Sequence, residues 1–283
     1  MKALFIGAHA DDIEILGGGS ALKYLKSGHQ VRFLVMTDGR GGHHEMGPEE
    51  IMNRRKLETQ AVAALTGIQY DVWPNADGEL VADLETRKKL TAYIREYAPD
   101  VIFCHQPNEY HPDHRAAGML LQDVSYLLIV PNFCSEAPAM KQTPVMLYYA
   151  DTKRGIENPP DVVVDIDDVI EDKYKMIDCH ESQMYEWLPF TNGTLQDVPK
   201  DKEKRLAWLQ GDAVDSDTPD EDIINGTVQG YNRRLSVPAA KYRRLLEERY
   251  GPRGSRVVFA EVFSGCPFGA PLTEEAKEKL FPF

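Results

Sequence analysis

Short apolar segments alternate with longer amphipathic segments in the first 104 residues of this 283-residue chain, and this alternation constrains the fold more than any other feature. The apolar segments are too short for helices, and polar or turn-forming residues follow them, as is typical of buried strands. They comprise residues 3–7, 30–36, 70–73 and 101–104. Helices are predicted between them, at 20–25, 49–65 and 84–97. Such repetition predicts an α/β fold, with a mostly parallel sheet covered by helices on both faces.

The second half of the chain is less regular. Strands are predicted at 146–150, 162–166 and 256–259, and helices at 169–184 and 239–249. A polar, acidic and broken stretch lies between them, without the composition of a linker. We therefore expect one domain over residues 1–283, with an insertion on its rim at residues 186–235.

Composition excludes several classes of function. The chain carries 45 acidic against 32 basic residues, a formal net charge of -13, which argues against a nucleic-acid partner. No apolar run approaches the ~18 residues that a membrane span requires. Four scattered cysteines form no CxxC pair, and residues 1–7 are too short for a secretory signal core. We expect a cytoplasmic protein with reduced thiols.

Ligands of open parallel sheets bind beyond the carboxyl ends of the strands, so the residues after each predicted strand are the candidates for a site. These residues are 9–12, 38–44, 75–77 and 105–114. Half of the eight histidines, His9, His105, His111 and His114, follow the first and fourth strands. The histidines therefore indicate a functional site at this edge of the sheet.

Two short motifs there have the composition of a metal centre. His9 and Asp12 follow the first strand at a spacing of three, and His111 and His114 follow the fourth strand. Two imidazoles and a carboxylate suit a divalent transition metal that keeps an open coordination position, as catalytic sites do. Asp11 and Asp12 are consecutive in this turn and point in different directions, so one can bind the metal while the other faces the metal-bound water as a general base.

The sequence Ala8-His9-Ala10-Asp11-Asp12, taken with His111-Pro112-Asp113-His114, resembles the signature of the LmbE-like, or PIG-L, family of zinc-dependent N-deacetylases. Further similarities are Thr37-Asp38-Gly39, Arg55-x-x-Glu58, Leu65-Thr66-Gly67-Ile68, Lys173 with His180-Glu181-Ser182-Gln183, and Ala260-Glu261-Val262-Phe263. The resemblance covers about residues 1–185 and 255–263 and implies a Rossmann-like, LmbE-like fold. Ala10 stands where the family usually has proline, and Ile13 where glutamate is common, which weakens any role for Glu14.

The resemblance also implies roles for individual residues. One zinc ion per chain is held by His9, Asp12 and His114. Asp11 is the general base, His111 stabilises the oxyanion and protonates the leaving amine, and Asp113 orients His111 or tunes its charge. Arg55 contacts substrate oxygens. Beside these, Tyr110 is a candidate oxyanion donor and His43 a candidate substrate contact, because both lie in loops at the same edge of the sheet.

These residues predict a zinc hydrolase that removes an N-acyl group, with N-acetyl as the leading expectation, from an amino sugar or its conjugate. Two alternatives remain open: a non-haem metal oxygenase, which also uses two histidines and a carboxylate, and a non-catalytic metal-dependent sugar-binding protein. The resemblance is compatible with a homo-oligomer. The acidic charge of residues 186–235 is expected to disfavour highly anionic substrates. The expected partner is a small-molecule N-acetylated sugar or its conjugate.

Overall fold

The computed structural model describes residues 1–150 and 160–283. Its strands are β1 (Lys2–Gly7), β2 (Gln30–Thr37), β3 (Gln69–Asn75), β4 (Val101–Cys104), β5 (Val145–Tyr149), β6 (Val162–Asp165) and β7 (Ala260–Gly265). They form a seven-stranded sheet in the order β3-β2-β1-β4-β5-β7-β6. Strands β3 to β5 are parallel along that order, whereas β7 runs antiparallel to both β5 and β6. The prediction of a mostly parallel α/β sheet is confirmed.

Helices cover both faces of this sheet. They are α1 (Asp12–Leu16), α2 (Gly18–Lys26), α3 (Pro48–Thr66), α4 (Leu84–Tyr97), α5 (Pro112–Leu127), α6 (Ile170–Asp178), α7 (Leu188–Thr191), α8 (Arg205–Gln210), α9 (Asp220–Asn225), α10 (Gly230–Lys241), α11 (Arg243–Tyr250) and α12 (Glu274–Leu280). Because side chains alternate along a strand, neighbouring residues of β1 enter different cores. Phe5 is buried with residues of α2 and α6, and Ile6 is buried with residues of α4 and α5.

Strand β1 lies between β2 and β4 and marks the point where the winding of the sheet changes direction. The helices after β1 pack on one face, and α5, which follows β4, packs on the other. The two chain segments therefore separate beyond Gly7 and Cys104 and leave a crevice there. This crevice contains the residues that the sequence indicates for a site.

Three predicted boundaries differ from the structure. The strand predicted at 256–259 is wrong, because the N–H groups of Val258 and Phe259 donate to the carboxylate of Asp167 and the strand begins only afterwards, at β7. The helix predicted at 239–249 is interrupted between α10 and α11. The helix predicted at 169–184 ends with α6, and a π-helical turn follows at Gln183–Trp187.

Residues 186–235, called the rim segment below, consist of short helices and 3₁₀ turns connected by loops. Two of its loops touch backbone to backbone at Gly211 and Gly230, where a Cβ on either glycine would lie 2.5 Å from a carbonyl oxygen of the other loop. Both glycines have positive φ, which a larger residue would adopt only with strain. Throughout the described residues, none of the helices combines the length and apolarity needed to cross a bilayer.

Candidate active site

The turn after β1 presents two adjacent carboxylates in different directions. Asp11 has a φ of 110°, a left-handed conformation that is rare outside glycine. The side chain of Asp12 accepts the backbone N–H of His9 at 2.7 Å, which closes the turn. The guanidinium of Arg55 donates to the carbonyl oxygen of Ala10 and supports the turn from behind. The unusual backbone thus separates the directions of Asp11 and Asp12.

The loop after β4 presents His111 and His114 at the start of α5. Pro112 occupies the first helical position, and His111 is the N-cap, with Nδ1 accepting the N–H of Asp113 at 3.2 Å. Helix α5 can approach the loop closely because residue 118 is glycine: a Cβ there would lie 2.6 Å from the carbonyl carbon of Gln106. This close packing places His114 next to the turn after β1.

Three side chains from these two loops face one another through two ring nitrogens and the two oxygens of one carboxylate. Nδ1 of His9 lies 3.3 Å from Nε2 of His114 and 3.5 Å from a carboxylate oxygen of Asp12. The other oxygen of Asp12 lies 3.3 Å from Nε2 of His114. Ligands at about 2.0–2.1 Å from a tetrahedral zinc are about 3.4 Å apart. The structure thus brings together the predicted ligand set, and its spacing fits one such ion.

The remaining ring nitrogen of each of these histidines contacts a carboxylate. Nε2 of His9 lies 3.0 Å from Asp113 and 3.1 Å from Asp77, and Nδ1 of His114 lies 2.9 Å from Glu109. A carboxylate on one nitrogen holds the proton there and directs the lone pair of the other nitrogen toward a metal. The donor set therefore has the second layer of contacts that metal-binding histidines usually show.

The site has an excess of negative charge, which calls for a cation. Burial opposes protonation of His9, but its contacts with Asp113, Asp12 and Asp77 outweigh burial and raise its pKa well above the usual value. The same balance of burial against Asp12 and Glu109 raises the pKa of His114 to about 9. A divalent ion would supply the positive charge that the protonated imidazoles otherwise provide.

His105 is a further histidine in this cluster. Its Nε2 lies 3.1 Å from Asp12 and accepts the N–H of Ala8 at 3.2 Å, and its ring stacks on His114 at a centroid distance of 3.9 Å. Three groups of side chains in the described residues are near enough together to hold an ion: His105 with Asp12 and His114, His9 with His111 and His114, and His9 with Asp77 and Asp113. We favour His9 over His105 as a ligand, because Nε2 of His105 already accepts a backbone hydrogen bond.

Asp11 lies beside the proposed ligand set without belonging to it. Its carboxylate lines the cleft, and one oxygen lies 3.3 Å from the guanidinium of Arg55. Burial raises the pKa of Asp11 to about 6, although Arg55 opposes the rise. A carboxylate whose pKa lies near neutrality is suited to accept a proton from an attacking water.

His111 and Tyr110 line the cleft next to the proposed ligands. The His111 ring lies 4.6 Å from the His9 ring, edge to face, and because Nδ1 accepts a backbone N–H, the neutral ring carries its proton on Nε2. Burial and the nearby imidazoles of His9 and His114 lower the pKa of His111. Tyr110 is half-exposed beside these rings. The carboxylate of Asp113 contacts His9, and its charge opposes the lowering of the His111 pKa, so the tuning of His111 by Asp113 stays a prediction.

Two predicted substrate contacts lie elsewhere than expected. Arg55 is 3% exposed, and its guanidinium is directed at Ala10 and at the carboxylates of Asp11 and Asp77. His43 is buried: its Nε2 lies 2.8 Å from Glu186, and its Nδ1 accepts two backbone N–H groups. Neither residue lines the cleft, so both support the site from behind.

Sequence reasoning located Asp77 and Glu109 in the candidate stretches after β3 and β4 but assigned a role to neither. Asp77 follows β3, where the parallel-sheet rule already indicated a site, and Glu109 lies two residues before His111. His180 is a buried histidine behind Asp11, and its Nε2 lies 2.9 Å from a carboxylate oxygen of the fully buried Glu14. Glu14 therefore has a structural partner, although the family pattern gave it little weight.

The cleft has a volume of about 850 Å³ and two walls of different origin. One wall contains Asp11, Asp12, Tyr110, His111 and His114. The other consists mainly of residues from the rim segment, including Trp187, Leu188, Trp208, Leu209, Tyr231 and Arg234. Clefts of this volume accommodate drug-sized ligands, larger than a single amide.

Comparisons with known proteins identify the family of this chain. A profile of the PIG-L family, described as GlcNAc-PI de-N-acetylase, matches residues 4–125. Diacetylchitobiose deacetylase from Thermococcus kodakarensis is 32% identical over 205 residues, which cover 67% of this chain and 74% of that protein. The solved N,N'-diacetylchitobiose deacetylase from Pyrococcus horikoshii superposes with a TM-score of 0.67 at 26% identity, covering 94% of this chain and 84% of that one.

One similar protein has a different reaction in its name. The 4-oxalmesaconate hydratase from Pseudomonas putida is 24% identical over 203 residues, covering 69% of this chain and 79% of that protein. The same kind of fold therefore carries out more than one chemistry, and the reaction has to be argued from the site.

Proposed function

The chain belongs to the PIG-L, or LmbE-like, family, whose named deacetylases are hydrolases of amide bonds, and from this premise we propose that it is a zinc-dependent N-deacetylase of an N-acetylated amino sugar or its conjugate. One observation carries the proposal. Nδ1 of His9 and Nε2 of His114 lie 3.3 Å apart, and each lies within 3.5 Å of one oxygen of the Asp12 carboxylate, with Asp11 beside them and outside the set.

His9, Asp12 and His114 would hold the ion, with Glu109, Asp113 and Asp77 fixing the imidazoles. When bound, the ion supplies Lewis acidity toward the scissile carbonyl and toward the attacking water. Asp11 accepts the proton of that water, and its support by Arg55 keeps the carboxylate directed into the cleft. Division of base and acid duties between two groups is typical of amide hydrolysis near neutral pH.

His111 is the proposed partner of the leaving nitrogen. Its Nε2–H can donate to the developing oxyanion and then to the departing amine, while the backbone N–H on Nδ1 keeps the ring in this orientation. Tyr110 lies next to it and is a candidate second donor to the oxyanion. The rim segment forms the other wall of the cleft and is proposed to select the substituent attached to the sugar.

The two alternatives explain fewer of these residues. A metal oxygenase gives no role to Asp11, and a sugar-binding protein needs neither a base at Asp11 nor a proton donor at His111. The hydrolase proposal gives each of them a role.

Hydrolysis of N-acetylglucosamine and of N,N'-diacetylchitobiose, measured as released amine, tests the proposal directly. We expect amine release by the zinc-loaded protein, loss of release with a chelator and recovery when zinc is added back. Hydration of an unsaturated dicarboxylate is measured in parallel. Hydration without amine release from any amide would overturn the proposal, as would amine release that a chelator leaves intact.

A further inference from the structure

The rim segment contributes an arginine to the cleft. Arg234 lies on α10 and lines the same cleft as Asp11 and His114. No part of the family resemblance covers α10. The contacts of Arg234 with its neighbours therefore indicate its role.

The charge of Arg234 is not neutralised by a carboxylate in the part of the chain that the structure describes. Its Nη1 donates to the hydroxyl oxygen of Tyr231 at 3.1 Å, and its guanidinium carbon lies 5.2 Å from the centre of that ring. Among the described residues, 1–150 and 160–283, no carboxylate oxygen lies within 4.0 Å of the guanidinium nitrogens of Arg234. By contrast, Arg205 faces the carboxylate of Glu181, and Arg243 faces that of Asp220.

The nearby acidic residue is committed to other partners. Glu261 and Arg234 line a small adjoining cavity. Both oxygens of Glu261 accept backbone N–H groups, from Gly19 and Ser20, and one lies 2.5 Å from Nζ of Lys173. A partly buried guanidinium without a carboxylate partner is a typical binding group for an anionic ligand.

The arginine is held in place before any ligand binds. The first turn of α10 is fixed by Asn232, which donates to the carbonyl oxygen of Asp212 at 3.0 Å and accepts the hydroxyl of Tyr174. The Gly211–Gly230 contact fixes the same turn through the backbone. The hydrogen bond from Arg234 leaves the hydroxyl proton of Tyr231 able to donate, so the two side chains offer donors together.

The acidic residues of the rim segment do not oppose this binding from within the cleft. Of its described carboxylates, Asp197 alone is among the cleft-lining residues, whereas Asp212 is bonded to the N–H of Gln229 and Asp220 to Arg243. The expectation that the acidic charge of this segment disfavours highly anionic substrates stays a prediction. Salt screens the more distant charges beyond about 8 Å.

We propose that Arg234, supported by Tyr231, binds a carboxylate or phosphate group on the substituent attached to the amino sugar, so that the substrate class is an acidic amino-sugar conjugate. This inference rests on the proposed function for the sugar and its amide. Trp187 and Trp208 on the same wall supply apolar surface for the body of the substituent.

A matched pair of substrates tests this proposal: the 4-carboxyphenyl and 4-carbamoylphenyl glycosides of N-acetylglucosamine, which differ in charge and hardly in shape. We expect the wild-type protein to have the higher kcat/KM for the carboxylate. Arg234→Gln should lower the ratio of the two kcat/KM values by about 10- to 100-fold, because a charged hydrogen-bonding partner is lost. Arg234→Lys should retain part of the ratio.

Arg244→Gln is the matched control, because Arg244 is exposed on α11 outside the cleft, and it should leave the ratio unchanged. Equal ratios in wild type and Arg234→Gln would overturn the proposal even while both glycosides are hydrolysed. If neither glycoside is hydrolysed, the proposed function is decided by the amine-release test above, and calorimetric binding of the two glycosides to the zinc-loaded protein decides the role of Arg234. A wild-type preference for the carboxylate that Arg234→Gln abolishes supports that role, and equal affinities overturn it.

Discussion

Nδ1 of His9 and Nε2 of His114 lie 3.3 Å apart across a sequence separation of 105 residues. Two unprotonated ring nitrogens at this distance repel one another through their lone pairs, so the contact requires a proton or a cation between them. The carboxylates of Asp113 and Glu109 hold the opposite ring nitrogens at 3.0 and 2.9 Å, which reserves the facing pair for that cation.

Replacement of a proposed ligand should remove the ion. We expect His114→Ala to retain less than a tenth of the wild-type zinc after dialysis, because a site with one histidine and one carboxylate is too weak to keep it. Zinc content per chain, measured by plasma emission spectrometry, checks this. His29→Ala is the control, since His29 lies near the N-terminus and contacts Met1. Full zinc occupancy in folded His114→Ala would exclude His114 as a ligand.

Replacement of the proposed base should separate catalysis from metal binding. We expect Asp11→Asn to lower kcat by about 10²- to 10⁴-fold, because no other group takes the proton from the water. Zinc content should stay at the wild-type level, as Asp11 lies outside the ligand set. Amine release and zinc content are measured on the same preparation. A variant with wild-type kcat would show that another group is the base.

Replacement of Glu109, whose carboxylate contacts Nδ1 of His114, should weaken the affinity for zinc more than it lowers the zinc content. Glu109→Gln removes the negative charge that holds the proton on Nδ1 of His114, and such changes typically weaken metal binding by about 10- to 100-fold. Competition with a chromophoric chelator measures the change in Kd for zinc. Glu136→Gln, in an exposed position, is the matched control. An unchanged Kd in Glu109→Gln would mean that Glu109 has no part in orienting the ligand.

The pH dependence of hydrolysis should move when Arg55 is changed. Asp11 must be ionised to act as a base, so kcat/KM rises with pH through its pKa, which burial places at about 6 before the charge of a bound cation lowers it. Arg55 lowers that pKa, so Arg55→Gln should shift the acidic limb of the profile to higher pH. The profile is measured where zinc content is constant. A shift to lower pH would contradict the assignment of the limb to Asp11.

The buried pair Lys173–Glu261 provides a test of stability. Lys173 is fully buried, and Glu261 also accepts the N–H groups of Gly19 and Ser20. Lys173→Met leaves a buried carboxylate without its cation, and we expect a loss of about 3–5 kcal/mol in the free energy of unfolding, measured with urea. Lys277→Met is a control on the exposed side of α12. Glu261→Gln combined with Lys173→Met should recover part of the loss, and an additive double variant would argue against a paired charge.

The sequence predicts the site well where a local rule fixes the geometry. Parallel strands end at one edge, so the motifs after β1 and β4 had to meet, and the spacing of His9 and Asp12 in one turn made them neighbours. The resemblance added the division of roles between Asp11 and Asp12, which spacing alone left open. The structure brings these predicted residues together.

The parts that sequence reasoning did not predict depend on contacts between distant segments. His43 was a candidate substrate contact, but its side chain is buried against Glu186 in the π-helical turn. The partner of Asp113 depends on how deeply α5 enters the turn after β1, and Gly118 decides that depth. The second wall of the cleft comes from a segment without regular periodicity, so its cleft-lining residues could not be identified from the pattern.

The central claim is that one cation is held by His9, Asp12 and His114 with Asp11 left beside it. A crystal structure of the zinc-loaded protein, with an anomalous difference map recorded at the zinc absorption edge, tests it most directly. The account predicts one peak per chain at about 2.0–2.2 Å from Nδ1 of His9, Nε2 of His114 and an oxygen of Asp12. A peak coordinated by other residues, or no peak from protein that releases amine at full rate, would contradict it.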